Sequence, residues 1–549
     1  MKKISIFTIF ILLILLGCVL NNPININRVE VDFSVDDMLN PEAGEAIIPG
    51  EYVVETDDID ALTEKYGNFI SKGVKSLQTA LLSIPSQMNI SDLLQELAVN
   101  VHVKGIEPNL TMGLDPKKSQ NGLVFSNLSF KSSLSITFTP DDPFFSKTFT
   151  TSEYGECQTD YGLLAMQVTQ AWDITRGSND IIVAVVDTGV DMDHPELKDY
   201  LIEGYDFINE DSDPDDDNGH GTHVAGIIGA SINNSLGIAG VASGVKIMPV
   251  KVLKANSGGN SHNIARGIVW AVNHGARVIN LSLGTASSNN ELNMAITYAL
   301  GKNVVVTAAN TNDGENKPKY PAAYSGMGVI AVGATNIKNK LADFSNWGKW
   351  TSVVAPGVNI LSTYPQGKGP SELETILGTR DYNILSGTSQ ATPYISGIAA
   401  LLLSYKPELT NYQVKYILEN TAQKLNSKSF DDHFGNGLVN AYKALKMVEK
   451  GSIDKVSSIR IDSIRTSPFY MKPGDSVTLT VNVHNPENKK LGYGWAVSKG
   501  KIEGQGQTVT WLAPDKPGKY QVVAGVNDGE KKVYATVNAV IYYKEENNE

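Results

Sequence analysis

Asn383-Ile-Leu-Ser-Gly-Thr-Ser-Gln-Ala-Thr-Pro-Tyr-Ile-Ser-Gly397 is the stretch from which the rest of the chain is read. The apolar, alanine-containing run Ile395 to Leu403 overlaps its end and has the length and composition of a buried helix. Ser389 then stands near the first turn, where the helix dipole favours developing negative charge. A serine there is by itself an ordinary helix cap, so its meaning depends on what lies upstream. Asp187 follows Ile181-Ile-Val-Ala-Val-Val186, which reads as a buried strand, and His220 lies in Asn218-Gly-His-Gly-Thr-His-Val-Ala-Gly226, ahead of a small-residue helix. A serine hydroxyl is a weak nucleophile that needs a base beside it, and imidazole suits that work near neutrality. A buried carboxylate would fix the imidazole tautomer and stabilise the imidazolium as it forms.

Read together, Val185-Val-Asp-Thr-Gly189, His220-Gly-Thr-His-Val-Ala-Gly226 and Gly387-Thr-Ser-Gln-Ala-Thr-Pro393 resemble the subtilisin-like serine proteases, whose catalytic residues follow the same chain order. The resemblance spans roughly residues 140 to 447. It implies a catalytic set of Asp187, His220 and Ser389, with His223 structural. Val304-Val-Val-Thr-Ala-Ala-Asn-Thr-Asn-Asp-Gly314 resembles the segment that supplies the family's oxyanion donor, except that threonine stands where glycine is usual. Ungapped alignment points to Asn312 as the donor, and Asn310 is the other candidate. Ser257-Gly258-Gly259 and Ser282-Leu283-Gly284 match segments that pair with the substrate backbone, and Lys319 matches a position at the base of the S1 pocket. That lysine implies a preference for acidic or small P1 residues.

Tyr205-Asp-Phe-Ile-Asn-Glu-Asp-Ser-Asp-Pro-Asp-Asp-Asp217 crowds carboxylates into one loop, a composition suited to calcium. The resemblance implies a calcium site at Asp206, Asn209, Asp211, Asp213 and Asp215. It implies a second at Asn234 and Glu196, with Asp142 able to contribute. Glutamate replaces the family's aspartate at 196. No catalytic metal is implied.

The chain has 549 residues, enough for three or four domains, and its 42% apolar and 19% charged content is that of a globular protein. A formal charge of −13 argues against nucleic acid as a partner. Its two cysteines are Cys18 and Cys157, and Cys157 has no histidine motif to make it a nucleophile. Met1-Lys-Lys followed by the apolar run Ile4 to Leu16 reads as an export signal. Leu15-Leu-Gly-Cys18 resembles a bacterial lipobox, which implies lipidation of Cys18 and a membrane anchor; a plain signal peptide is the rival reading.

The expected organisation is a signal over 1–18, a tether over 19–42, a propeptide with linker over 43–140, a catalytic domain over 141–449 and a β-sandwich over 450–549. Within the propeptide, Ile47–Val54 and Val101–Asn109 read as strands and Ile59 to Leu81 as mostly helix. The resemblance implies that this unit inhibits its own protease until cut. In the catalytic part, strand-like runs at Ile181–Val186, Val245–Val252, Arg277–Leu283, Val304–Ala309 and Val329–Gly333 alternate with helical ones at Gly221–Ala230, His262–His274 and Glu291–Leu300. The fold class is therefore α/β: a mainly parallel sheet with helices on both faces, preceded by an α+β unit and followed by an all-β sandwich. Residues 364–382 form an extra polar loop of no assigned use. The chemistry read here is peptide-bond hydrolysis by an extracytoplasmic enzyme acting on protein or peptide substrates. A catalytically silent envelope binding protein on the same fold is the alternative. An α/β-hydrolase is disfavoured, because Ala391 stands where its nucleophile elbow needs glycine.

Overall fold

The computed structural model describes residues 47–84, 97, 103–114, 138–451 except 154, 453, and 459–541 except 468–470, 472, 486–487, 517 and 530–531. The leader, the tether and Cys18 lie outside these residues.

Seven strands form the central sheet, in the spatial order Val353–Pro356, Ile330–Thr335, Val305–Ala309, Val278–Leu281, Ile182–Asp187, Lys246–Lys251, Tyr205–Asp206. Every pairing is parallel. Both faces are covered, which explains why the strands are continuous apolar runs and do not alternate. In Ile182–Asp187, Val183 and Val185 face one core with the helices His220–Gly229 and Thr388–Tyr405, while Ala184 and Val186 face the other with Ser261–Asn273 and Asn290–Gly301. The strands and helices expected between Ile181 and Gly333 are all present, with ends moved by no more than two residues.

The helix that carries Ser389 begins at Thr388, well before its apolar run, and contains Pro393. A proline has no N–H, so the carbonyl four residues back, that of Ser389, loses its helical donor. The Ser282 hydroxyl takes that place at 2.8 Å, so the proline opens a point of attachment for another segment.

The described residues between 47 and 113 form the N-terminal unit, and its sheet has the order Gly258–Asn260, Val103–Gly113, Ile47–Thr56, Thr79–Ser83, Ile70–Val74. The first of these strands belongs to the catalytic part, so one sheet runs across both units. The helix expected over Ile59 to Leu81 is shorter: it covers Ile59–Tyr66, with Asp58 accepting the Ala61 N–H as its cap, and two strands follow. Thr79-Ala-Leu-Leu is buried throughout against neighbouring strands, and this long-range pairing overrides the local helical preference.

The C-terminal unit is a sandwich of a four-stranded sheet (Arg460–Ser467, Ser476–His484, Thr508–Leu512, Lys501–Glu503) and a three-stranded one (Gly492–Val497, Gly518–Asn527, Lys532–Ile541). Trp511 is fully buried in its core with Val477, Leu479 and Val522. Ile461, Val481, Val526 and Val533 instead join an apolar cluster with Met327 and Leu292 of the catalytic part. The sandwich is therefore packed on its neighbour.

The N-terminal unit also docks on the starts of two helices. Glu107 accepts the backbone N–H groups of Asn290 and Glu291, both at 2.9 Å, and the Asn109 side-chain oxygen accepts from the Ser261 hydroxyl at 3.0 Å and the His262 N–H at 3.3 Å. The three N–H groups are donors that a helix leaves unpaired at its N-terminus. Thr79 donates to Glu291 at 2.8 Å, and His262 Nδ1 lies 2.9 Å from the same carboxylate. Burial pushes the Glu107 carboxyl up to about 7, against the pull of the two helix N–H groups and with added repulsion from Glu291 and Glu55. A value raised on docking means that docking takes up a proton. The contribution is thus full on the acid side and is lost as pH rises through about 7. Protection of Val103–Gly113 from hydrogen exchange, taken relative to the intrinsic amide rate at each pH, is expected to be lower at about pH 8.5 than at about pH 6, and Glu107→Gln to flatten the difference.

Candidate active site

Asp187 ends its strand at the carboxyl edge of the sheet, where open parallel sheets gather their functional groups. It is fully buried, and its Oδ1 lies 2.7 Å from His220 Nδ1 and accepts the Thr188 N–H at 2.8 Å. His220 is the first residue of its helix, and its side chain is about one-eighth exposed (12%). Asp216 holds that helix start, accepting the N–H groups of Asn218, Gly219 and Thr222 and the Thr222 hydroxyl. Burial raises the Asp216 carboxyl above its ordinary value against these donors. Sequence reading passed over Asp216 because it sits inside the acidic run.

His223 faces away from the cleft. Its Nε2 lies 3.1 Å from the carbonyls of both Ile360 and Asn383, so that nitrogen carries the proton. Burial, with repulsion from His220, pushes it down to about 3. It is a neutral clamp on the strands Ile360–Thr363 and Tyr382–Leu385.

The Ser389 hydroxyl donates to the Ser282 carbonyl at 3.1 Å, while the Ser282 hydroxyl donates back to the Ser389 carbonyl. Among the described residues no hydrogen bond joins Ser389 Oγ to His220. Such bonds commonly tighten only when substrate is bound. Asn280 supports the clip by donating to Ser282 Oγ at 2.9 Å and accepting from the Ser396 hydroxyl at 2.8 Å.

The two oxyanion candidates part company. The Asn312 carbonyl oxygen accepts the Thr388 N–H at 2.8 Å and the Thr388 hydroxyl at 3.0 Å, which fixes the orientation of the amide. Its Nδ2 and the Ser389 N–H then lie on the same side of Gly387, 3.5 and 3.6 Å from where a side-chain carbon there would stand. Asn310 is fully buried and donates to the Asn346 carbonyl at 3.2 Å and the Thr351 hydroxyl at 2.9 Å, with no bond, among the described residues, toward Ser389 or Thr388. Between them Thr311 has φ +69°, a left-handed conformation unfavourable for a β-branched residue.

The segments expected to pair with substrate already hold a strand. Thr111, Met112 and Gly113 run antiparallel to Asn260, Gly259 and Gly258, and Gly113 bridges Gly284 on the other side, with the Gly284 N–H donating to Gly113 at 3.3 Å. The Leu114 N–H donates to the Ser257 carbonyl at 3.2 Å. A side chain at Gly113 would meet that carbonyl at 2.7 Å, so the close approach requires glycine. Ser282 and Leu283 continue the opposite wall toward Ser389. Lys319 is paired with Asp313 at 3.2 Å, which neutralises the charge on which a preference for acidic P1 residues would rest.

At the expected calcium loci the carboxylates are engaged by protein donors. Among the described residues no group of three or more His, Cys, Asp or Glu side chains gathers at metal-holding distance. Asp206 Oδ1 accepts the N–H groups of Ile208 and Asn209, and its Oδ2 accepts the Asn209 amide. Asp211 accepts the Asp213 N–H, and Asp215 the Met192 N–H. Local turns engage Asp206 and Asp211, the Met192 N–H engages Asp215 from farther away in the chain, and nothing in the sequence fixes where each one points. At the second locus the proposed ligands bind each other. Asn234 donates to Glu196 at 3.0 Å, Ile238 N–H and the Tyr382 hydroxyl donate to it at 2.8 and 3.0 Å, and Asp142 caps the N–H groups of Asn233 and Asn234. Tyr382, the first residue of the strand Tyr382–Leu385, thus shares Glu196 with Asn234 and Ile238, while burial and the nearby Asp142 raise the Glu196 carboxyl to about 7.

Residues 178–437 match the subtilase family. The chain is 42% identical over 309 residues to thermitase of Thermoactinomyces vulgaris, a match that spans 56% of this chain and 100% of thermitase. It is 44% identical over 285 residues to a thermophilic serine proteinase of Bacillus sp. (strain AK1), spanning 52% of this chain and 66% of that protein. Fervidolysin from Fervidobacterium pennivorans, described as a keratinolytic enzyme related to subtilisin, has a similar structure, with a TM-score of 0.66 at 24% identity over 92% of this chain and 78% of that one. That last likeness concerns the fold.

Heat tests the calcium expectation at these loci: an unfolding midpoint higher in millimolar calcium than in excess chelator is the expected result, and an unchanged midpoint would overturn both sites.

Proposed function

The chain belongs to the subtilase family and is a serine endopeptidase, and we propose that it works through an acyl-enzyme on Ser389, with His220 as base and Asp187 as its holder. The observation that carries this reading is the 2.7 Å Asp187–His220 contact at one end of a cleft shaped for an extended peptide.

Substrate pairs with Ser257–Gly259 on one side and Ser282–Gly284 on the other, replacing Thr111–Leu114. The Ser389 hydroxyl turns from the Ser282 carbonyl to His220 Nε2, gives up its proton and attacks the substrate carbonyl. The oxyanion is held by Asn312 Nδ2 and the Ser389 N–H, and the imidazolium returns its proton to the leaving amine. Water then repeats the sequence on the ester.

The N-terminal unit acts as a propeptide: its own strand fills the cleft, and its carboxylate and amide cap two helices of the catalytic part. The apolar leader supports export, and Cys18 is the proposed lipidation site. Among the described residues no helix is long and apolar enough to cross a membrane.

Casein and a serine-reactive fluorophosphonate test the reading together. Casein hydrolysis blocked by label on Ser389, and lost in Ser389→Ala, is expected; stable binding without hydrolysis would favour a silent binding protein. Asn312→Ala should lower kcat by roughly 10²–10³, the size measured in subtilisin for one lost donor, whereas Asn310→Ala should lower stability first.

A further inference from the structure

Behind the Asp187–His220 pair lies a charged side chain that the mechanism above does not use. Lys251 is the last residue of its strand, lies in register with Asp187 on one side and Asp206 on the other, and is only 2% exposed. Lysine is among the residues least often found at such depth. Its Nζ donates to the Thr188 carbonyl at 2.5 Å and to Asp217 Oδ1 at 2.6 Å. Thr188 is the hub of the site: its N–H donates to Asp187, and its hydroxyl accepts the Gly221 N–H at 2.9 Å. Asp217 stands three residues before His220, between the helix-capping Asp216 and Asn218, whose side chain accepts the His220 N–H at 3.1 Å.

We propose that Lys251 is a positioning residue for the catalytic pair, a buried ammonium that fastens the end of the aspartate strand to the loop delivering the histidine. The proposal rests on the peptidase reading above. One ammonium joins the two arms through Thr188 and Asp217, so the arms move together or not at all. It also sets the local charge. The groups facing this place are Asp187, Asp206 on the adjoining strand, Asp216 and Asp217 in the loop, His220 and His223 on the helix, and Tyr364, whose hydroxyl donates to the Asn218 carbonyl. The Asp206 and Asp216 carboxylates are taken up by N–H and hydroxyl donors, which leaves Asp217 as the direct partner of the ammonium.

Removing either partner leaves the other's charge uncompensated, and the two losses have opposite sign. Lys251→Met leaves Asp217, which stabilises an imidazolium at His220; Asp217→Asn leaves the ammonium, which opposes it. The test is kcat, KM and the pH profile of kcat/KM on a peptide substrate for the full enzyme and both variants. Lys251→Met should lower kcat roughly ten- to a hundred-fold with KM within about two-fold, and move the acid limb to higher pH. Asp217→Asn should move that limb to lower pH. Limbs that stay still, or move the same way in both variants, would overturn the proposal and leave Lys251 a stability residue. Should Lys251→Met fail to fold, Asp217→Asn decides, since its side chain is 53% exposed and its loss leaves no cavity; an unmoved limb there overturns the proposal too. A wild-type enzyme without turnover would instead sink the peptidase reading itself.

Discussion

A fully buried carboxylate joined to an imidazole is the constraint the catalytic part is built round. Asp187 has no access to water, so its charge must be met by protein, and an uncompensated buried charge destabilises by about 3–5 kcal/mol. The Thr188 N–H and His220 meet it at Oδ1. Those partners are fixed in turn, Thr188 by Lys251 and the Gly221 N–H, and the histidine helix by Asp216. The parallel sheet places the aspartate at a strand end and the next helix places the histidine beside it. What remains is to prevent either from drifting, and buried polar groups around the pair do that.

Ser389 is secured differently. Pro393 deletes one helical hydrogen bond, and the freed Ser389 carbonyl is taken by Ser282, one of the residues expected to bind substrate. Ser389 and the Ser282–Gly284 segment are therefore positioned by one reciprocal contact. The N-terminal unit and the sandwich attach to the same framework: the first caps two helix starts and lays a strand in the cleft, while the second shares an apolar cluster with Leu292 and Met327.

Much of this was legible in the sequence. β-branched runs alternating with helical ones can hardly pack other than as a covered parallel sheet, and the three motifs locate the polar groups at its edge. What the sequence hid depends on direction and distance. Glu107 gives no local sign that it will cap a helix far along the chain, Asp216 looks like an ordinary member of an acidic run, and Lys251 looks like an exposed lysine at the end of a strand. The shortened helix after Ile59 yields to strand pairing that no window of residues reveals. The acidic loop shows the same limit: composition counts carboxylates but does not aim them, and Asp206, Asp211 and Asp215 each turn to a backbone N–H.

The most direct measurement of the central claim is the rate at which a fluorophosphonate phosphonylates Ser389, with loss of fluoride, in the wild type and in Asp187→Asn, a substitution that keeps the shape and removes the charge. If the buried carboxylate holds the working tautomer of His220, phosphonylation should slow by about 10⁴ while the fold, read by circular dichroism, is unchanged. Phosphonylation at the wild-type rate in a folded Asp187→Asn protein would contradict the account.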